Sequence, residues 1–79
     1  MGTFIGDIPS GRELGTLIRQ ERKAQRLTQE QLAALTGVGP RFIRELEAGK
    51  ESCQLGRALL VLSALGLRLA VSRRGEAAG

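Results

Sequence analysis

Residues 27–47, Leu-Thr-Gln-Glu-Gln-Leu-Ala-Ala-Leu-Thr-Gly-Val-Gly-Pro-Arg-Phe-Ile-Arg-Glu-Leu-Glu, leave this chain little freedom in how it folds. Thr28 can accept from the free amides of a helix start, and Gln31, three residues on, can reach back to it, which makes a capping box. Gln29 to Leu35 are mostly good helix formers, with Leu32 and Leu35 on one face. Gly37 takes a left-handed backbone at no steric cost, so the helix stops there. Gly39 and Pro40 restart the chain, since proline is tolerated at the first helical position. Ile43, Leu46 and Glu47 follow at helical spacing. So short a turn predicts two crossed helices sharing an apolar seam of Leu32, Leu35, Val38, Ile43 and Leu46.

Two short helices around a tight glycine turn are the pattern of a helix-turn-helix unit, whose second helix lies in the major groove of DNA. The stretch Leu27–Ala33, then Thr36-Gly37-Val38, then Ile43 to Lys50, resembles the Xre/Cro-CI family of helix-turn-helix repressors. The likeness reaches back to Leu14 and forward through a fourth helix, covering most of the chain. It implies a mainly α, four-helix, lambda-repressor-like domain.

Seventy-nine residues make one small domain with a thin core. With no Trp or Tyr and two Phe, that core must be aliphatic. A net charge of +4 favours a polyanionic partner, although charge alone also fits a merely basic surface. The lone Cys53 cannot form an internal disulfide, and no ligand cluster points to a metal. Its default role is a small residue in a reducing cytosol. No apolar run spans a membrane, and the expected location is cytoplasmic. With no histidine, no base beside Cys53, no convincing acidic pair and no phosphate-cradling glycine loop, neither catalysis nor a cofactor is expected.

The expected organisation is an N-terminal arm over 1–9, a DNA-binding domain over 10–66, a dimerisation strand over 67–71 and a flexible tail over 72–79. In the arm, Phe4, Ile5 and Ile8 are apolar and interrupted by Gly6. Ser10 begins the first helix, with Glu13 completing a second capping box. Leu14, Leu17, Ile18, Ala24 and Leu27 form its apolar stripe. Arg12, Arg19, Arg22, Lys23 and Arg26 oppose Glu13 and Glu21, most of them solvated or facing phosphate. The fourth helix spans Gln54 to Leu65, with Leu55, Leu59, Leu62 and Leu65 at helical spacing, Leu60 and Val61 flanking, and Gly66 ending it.

Leu67, Arg68, Leu69, Ala70 and Val71 then alternate in the manner of a strand. A lone strand needs a partner for its backbone groups, most simply the same strand of a second copy. This ending resembles the C-terminal strand of HipB-type antitoxins, whose two copies form an intersubunit sheet. The resemblance implies a homodimeric autorepressor that also binds a HipA-like, kinase-like toxin.

Carried over by position, Thr28 and Gln29 sit where the family holds a phosphate at the start of its second helix. Arg41, Phe42, Arg44 and Glu45 take the exposed face and leading turns of the recognition helix. Arg41 and Arg44 can each fork onto guanine, or contact phosphate alone. Glu45 can accept from cytosine N4, or orient Arg41 one turn before it. Phe42 can press on a thymine methyl, or pack. Lys50 and Lys23 are phosphate candidates. The family also implies a partly buried ion pair between Arg22 and Glu47, which suits a planar guanidinium; the alternative for Arg22 is an acid–base or phosphate role. Gly39 and Pro40 depart from the family, Gly39 by replacing the usual serine or threonine cap and Pro40 by replacing a residue that often contacts DNA.

A sequence-specific repressor, dimeric and reading an inverted-repeat operator, is the leading expectation, as the antitoxin of a HipBA-like operon. The alternatives are a protein-interaction module that neutralises a partner through Phe4-Ile5 and the tail after Val71, or a regulator of a phage or restriction–modification system.

Overall fold

The computed structural model describes residues 10–71 and 73, and their regular structure is four helices: α1 (Gly11–Ala24), α2 (Gln29–Thr36), α3 (Pro40–Glu47) and α4 (Leu55–Ala64). The expectations for the 1–9 arm and for residues 72 and 74–79 lie outside the described residues. Helix α3 packs on both α1 and α2, and α4 packs on α2. The core they enclose is aliphatic: Ile18, Leu32, Ala33, Val38, Ile43, Leu46, Ala58, Val61, Leu62 and Leu65. Leu14, Leu27, Phe42, Cys53 and Leu67 pack against it from the edge.

Local chemistry decides the centre of the fold. The Thr28 hydroxyl accepts from the Gln31 amide at 3.0 Å while the Gln31 side chain accepts from the Thr28 amide at 2.8 Å, so the capping box closes at the start of α2. Gly37 ends α2 at φ 77°, and Pro40 opens α3 at its first turn behind an extended Gly39.

Tertiary packing overrules the periodic reading elsewhere. Leu35, assigned to the seam, is 64% exposed, and Ala33 takes the buried place beside Leu32. An eight-residue helix that packs on both α3 and α4 buries the adjacent positions Leu32 and Ala33 rather than a single i, i+3 row. Ala24 is exposed at the end of α1. Ser10 caps α1 only by its backbone; its hydroxyl instead hydrogen-bonds the Glu13 carboxylate, so the second capping box is not formed. In α4 the buried face is Ala58, Val61, Leu62 and Leu65, and the expected Leu55 and Leu59 face solvent with Leu60. A helix apolar nearly all round offers two faces of equal period, and its neighbours choose between them.

Residues 67–71 carry no regular structure in this single chain, so the expected strand is not formed within it. Leu67 is held by its backbone N–H, which donates a hydrogen bond to the Leu62 carbonyl at 2.8 Å, while residues 68–71 are exposed. The physical reason is the one that made a partner necessary: a strand edge has no ladder without a second edge.

The α1–α2 connection stores strain. Arg26 holds a positive φ of 59°, a backbone region costly to residues with a Cβ, in a turn closed by its amide to the Lys23 carbonyl at 2.9 Å. Arg26→Gly is therefore expected to raise stability by about 0.5–1 kcal/mol, read as a higher urea midpoint with an unchanged slope. An equal or lower midpoint would show that the turn is not strained.

Candidate nucleic-acid interface

The recognition face is built on α3. Pro40 pre-sets its first turn, and Ile43 and Leu46 are buried on one side. Arg41 and Arg44 consequently stand on the other, both exposed. The Arg41 guanidinium lies 3.4 Å from the Glu45 carboxylate one turn later, and the Lys50 ammonium lies 3.4 Å from the same carboxylate. Desolvation pushes the Glu45 carboxyl up, but Lys50 and Arg41 together outweigh it and hold the group below its ordinary value. Arg44 makes no ion pair among the described residues. Phe42 is half-buried against the core, with the Arg57 guanidinium of α4 6.0 Å from its ring centroid. That places its ring in packing between α3 and α4.

Behind this face α1 is locked to α3. The Arg22 Nε and Nη2 donate to the two Glu47 oxygens at 2.6 and 3.0 Å, and Nη1 donates to the Leu27 carbonyl at 2.7 Å. Arg22 is 7% exposed, so this fork is nearly dry. Hydrogen bonding to Glu47 raises the Arg22 guanidinium against the opposing cost of burial. Gln29 joins it: its Nε2 donates to Glu47 at 3.1 Å. The phosphate candidates Thr28 and Gln29 are thus engaged inside the fold by their side chains, Thr28 in the cap and Gln29 on Glu47. Lys23 is exposed in the last turn of α1.

Sequence reasoning missed two contributors. Gly15 lets α1 approach the carbonyls at the end of α3; a Cβ there would lie 2.4 Å from the Leu46 oxygen. A glycine inside an apolar helical stripe, between Leu14 and Ile18, was the available signal. The sequence places Arg19 in a row of charges solvated or facing phosphate without singling it out, but with Arg22, Gln29, Arg44, Glu47 and Ala48 it lines an open groove between α1 and α3. The Cys53 thiol is pushed up by burial and by the Glu45 charge, with Lys50 opposing. Among the described residues no cluster of three or more metal-ligating side chains exists, and no helix is long and apolar enough to cross a membrane.

Comparison with known proteins agrees with this geometry. A family model described as Helix-turn-helix, HTH_3, matches residues 18–71. An uncharacterised HTH-type transcriptional regulator, y4mF, of Sinorhizobium fredii is 47% identical over 64 residues, covering 81% of this chain and 84% of that protein. Among solved structures, a HipB–O4 20mer complex and a HipA–HipB–O2–O3 complex each superpose with a TM-score of 0.81 at 21% identity, over 89% of this chain and 99% of theirs. At that identity the shared property is the four-helix fold. The capped α2, the Gly37 turn and the exposed arginines of α3 fall within the matched span, and the chain belongs to the Xre-type helix-turn-helix family of DNA-binding transcriptional regulators.

Proposed function

We propose that this protein is a dimeric, sequence-specific repressor that reads an inverted-repeat operator with α3, and that it is the antitoxin of a HipBA-like operon, repressing its own promoter and binding a kinase-like toxin. The observation that carries the DNA reading is the face of α3. Two exposed arginines are presented there on a helix whose other side is fixed by Ile43, Leu46 and the Arg22–Glu47 fork. A recognition helix reads bases with its leading turns, where Arg41 lies. Glu45, placed between Arg41 and Lys50, orients Arg41 toward guanine and leaves Arg44 as the second reader. Gln29 contributes its backbone amide at the start of α2 and Thr28 its hydroxyl hydrogen, since the Thr28 amide is held by Gln31, with Lys50 and Lys23 as point charges on phosphate. The antitoxin reading is supported by superposition on HipB along nearly its whole length, including the HipB found with HipA.

Dimerisation is supported by what a single chain leaves uncovered. Val71 is 94% exposed, and Leu55, Leu59, Leu60 and Leu69 are open as well. These apolar side chains belong to α4 and the segment that follows it, and they offer a surface that another protein can cover. Ending the chain at Gly66 is expected to convert a dimer to a monomer, measured by light scattering. A dimer that survives the truncation would move the interface to α4.

The DNA reading is tested by selecting duplexes from a random library with the full chain. The expected product is an inverted repeat with half-sites about 10 base pairs apart, or a multiple of that. On the selected duplex, Arg44→Ala should cost about 1–3 kcal/mol and relax one base position, whereas Lys50→Ala should weaken all sequences alike and reduce the salt slope by about one. Library DNA recovered without any enriched sequence would sink the repressor reading. A promoter upstream of the protein's own reading frame that lacks the selected repeat would sink autoregulation alone.

A further inference from the structure

We propose that Arg19 is a DNA-backbone contact, and that the groove it forms with Arg44 seats one phosphodiester beside the reading face of α3. The inference rests on the DNA reading above. Arg19 and Arg22 come from α1, Gln29 from the first residue of α2, and Arg44, Glu47 and Ala48 from the end of α3. The groove therefore holds three guanidiniums against one carboxylate. That carboxylate is already spent: both Glu47 oxygens accept from Arg22, and one accepts from Gln29 as well. What faces the opening is the charge of Arg19 and Arg44, both exposed and neither in an ion pair among the described residues. Arg19 can fork onto a phosphate oxyanion seated in this open groove, while Arg44 across from it adds its charge and a remaining N–H and keeps its fork for a base. Arg44 also belongs to the exposed side of α3, so a phosphate seated here lies beside the bases that α3 would read. The contact would fix register and carry no sequence information of its own.

The test compares the full-length protein with its Arg19→Ala, Arg19→Lys and Arg12→Ala variants. Binding is followed by fluorescence anisotropy across a salt series, on the library-selected duplex and on a mixed-sequence duplex. Arg12 sits on the same helix but outside the groove, and reports the loss of a surface charge in general. The expected result is that Arg19→Ala weakens both duplexes by the same factor and flattens the dependence of log K on log salt by about 0.9. Arg19→Lys should keep most of the slope, Arg12→Ala should change it less than Arg19→Ala, and the thermal midpoint should hold in all three. Wild-type binding with an unchanged slope for Arg19→Ala overturns this inference and leaves the DNA reading standing. So does an equal effect of Arg12→Ala, or a loss confined to the selected duplex. A wild-type protein that binds neither duplex overturns both.

Discussion

Gly15→Ala is expected to lower the stability of this protein by about 2–3 kcal/mol, although alanine is the better helix former. The new Cβ would lie 2.4 Å from the Leu46 carbonyl oxygen, 2.7 Å from that of Glu47 and 3.0 Å from the Glu47 carbonyl carbon. All three are backbone atoms at the end of α3, so no side chain can swing away. Helix α1 must retreat instead. Retreat loosens Ile18 from the core and draws Arg22 away from Glu47, one turn further along the same helix. The propensity gain of about 1 kcal/mol offsets only part of this. Gly56 in α4 is the internal control: nothing lies within 4 Å of its added Cβ. Gly56→Ala should be neutral or stabilising by up to about 1 kcal/mol. Urea denaturation of the two variants decides the matter. If Gly15→Ala proved as stable as wild type, the close approach of α1 to α3 would be wrong.

The contrast between those two glycines shows what the sequence could convey. Features set by neighbours along the chain were legible: the Thr28–Gln31 box, the left-handed Gly37 and the Gly39-Pro40 restart each answer to backbone chemistry within a few residues. The exposed position of Arg41 and Arg44 followed from the burial of Ile43 and Leu46 on the opposite side of one short helix. Features set by the third dimension were not. Leu35 and Ala33 are both apolar, and only the placement of α3 and α4 decides that alanine goes inside. The exposed leucines of α4 and its buried face share one period, so the periodicity could not choose between them. Arg19 looks like any other surface charge until α3 brings Arg44 and Glu47 across from it. The ion pair of Arg22 with Glu47 spans 25 residues, and it was the family resemblance rather than spacing that suggested it.

Breaking that pair should cost more than any change on the reading face. Glu47→Ala leaves the Arg22 guanidinium, with only 9% of its side chain exposed, facing no carboxylate, and the expected loss is about 3–5 kcal/mol. A chain of this length has a total stability of roughly 4–12 kcal/mol, so the variant should be largely unfolded at moderate urea concentrations. Most of this cost is the stranded charge rather than the lost attraction, because both partners had to leave water to form the pair. The apolar double variant Arg22→Met/Glu47→Leu should accordingly lose much less than the sum of the single variants. It should still fall short of wild type, since the Leu27 carbonyl and the Gln29 amide lose their partners with it. A double-mutant cycle by chemical denaturation measures the difference directly. Additive losses across the cycle would mean that Arg22 and Glu47 stabilise α1 and α3 separately, and that the fork does not join the two helices beneath the reading face.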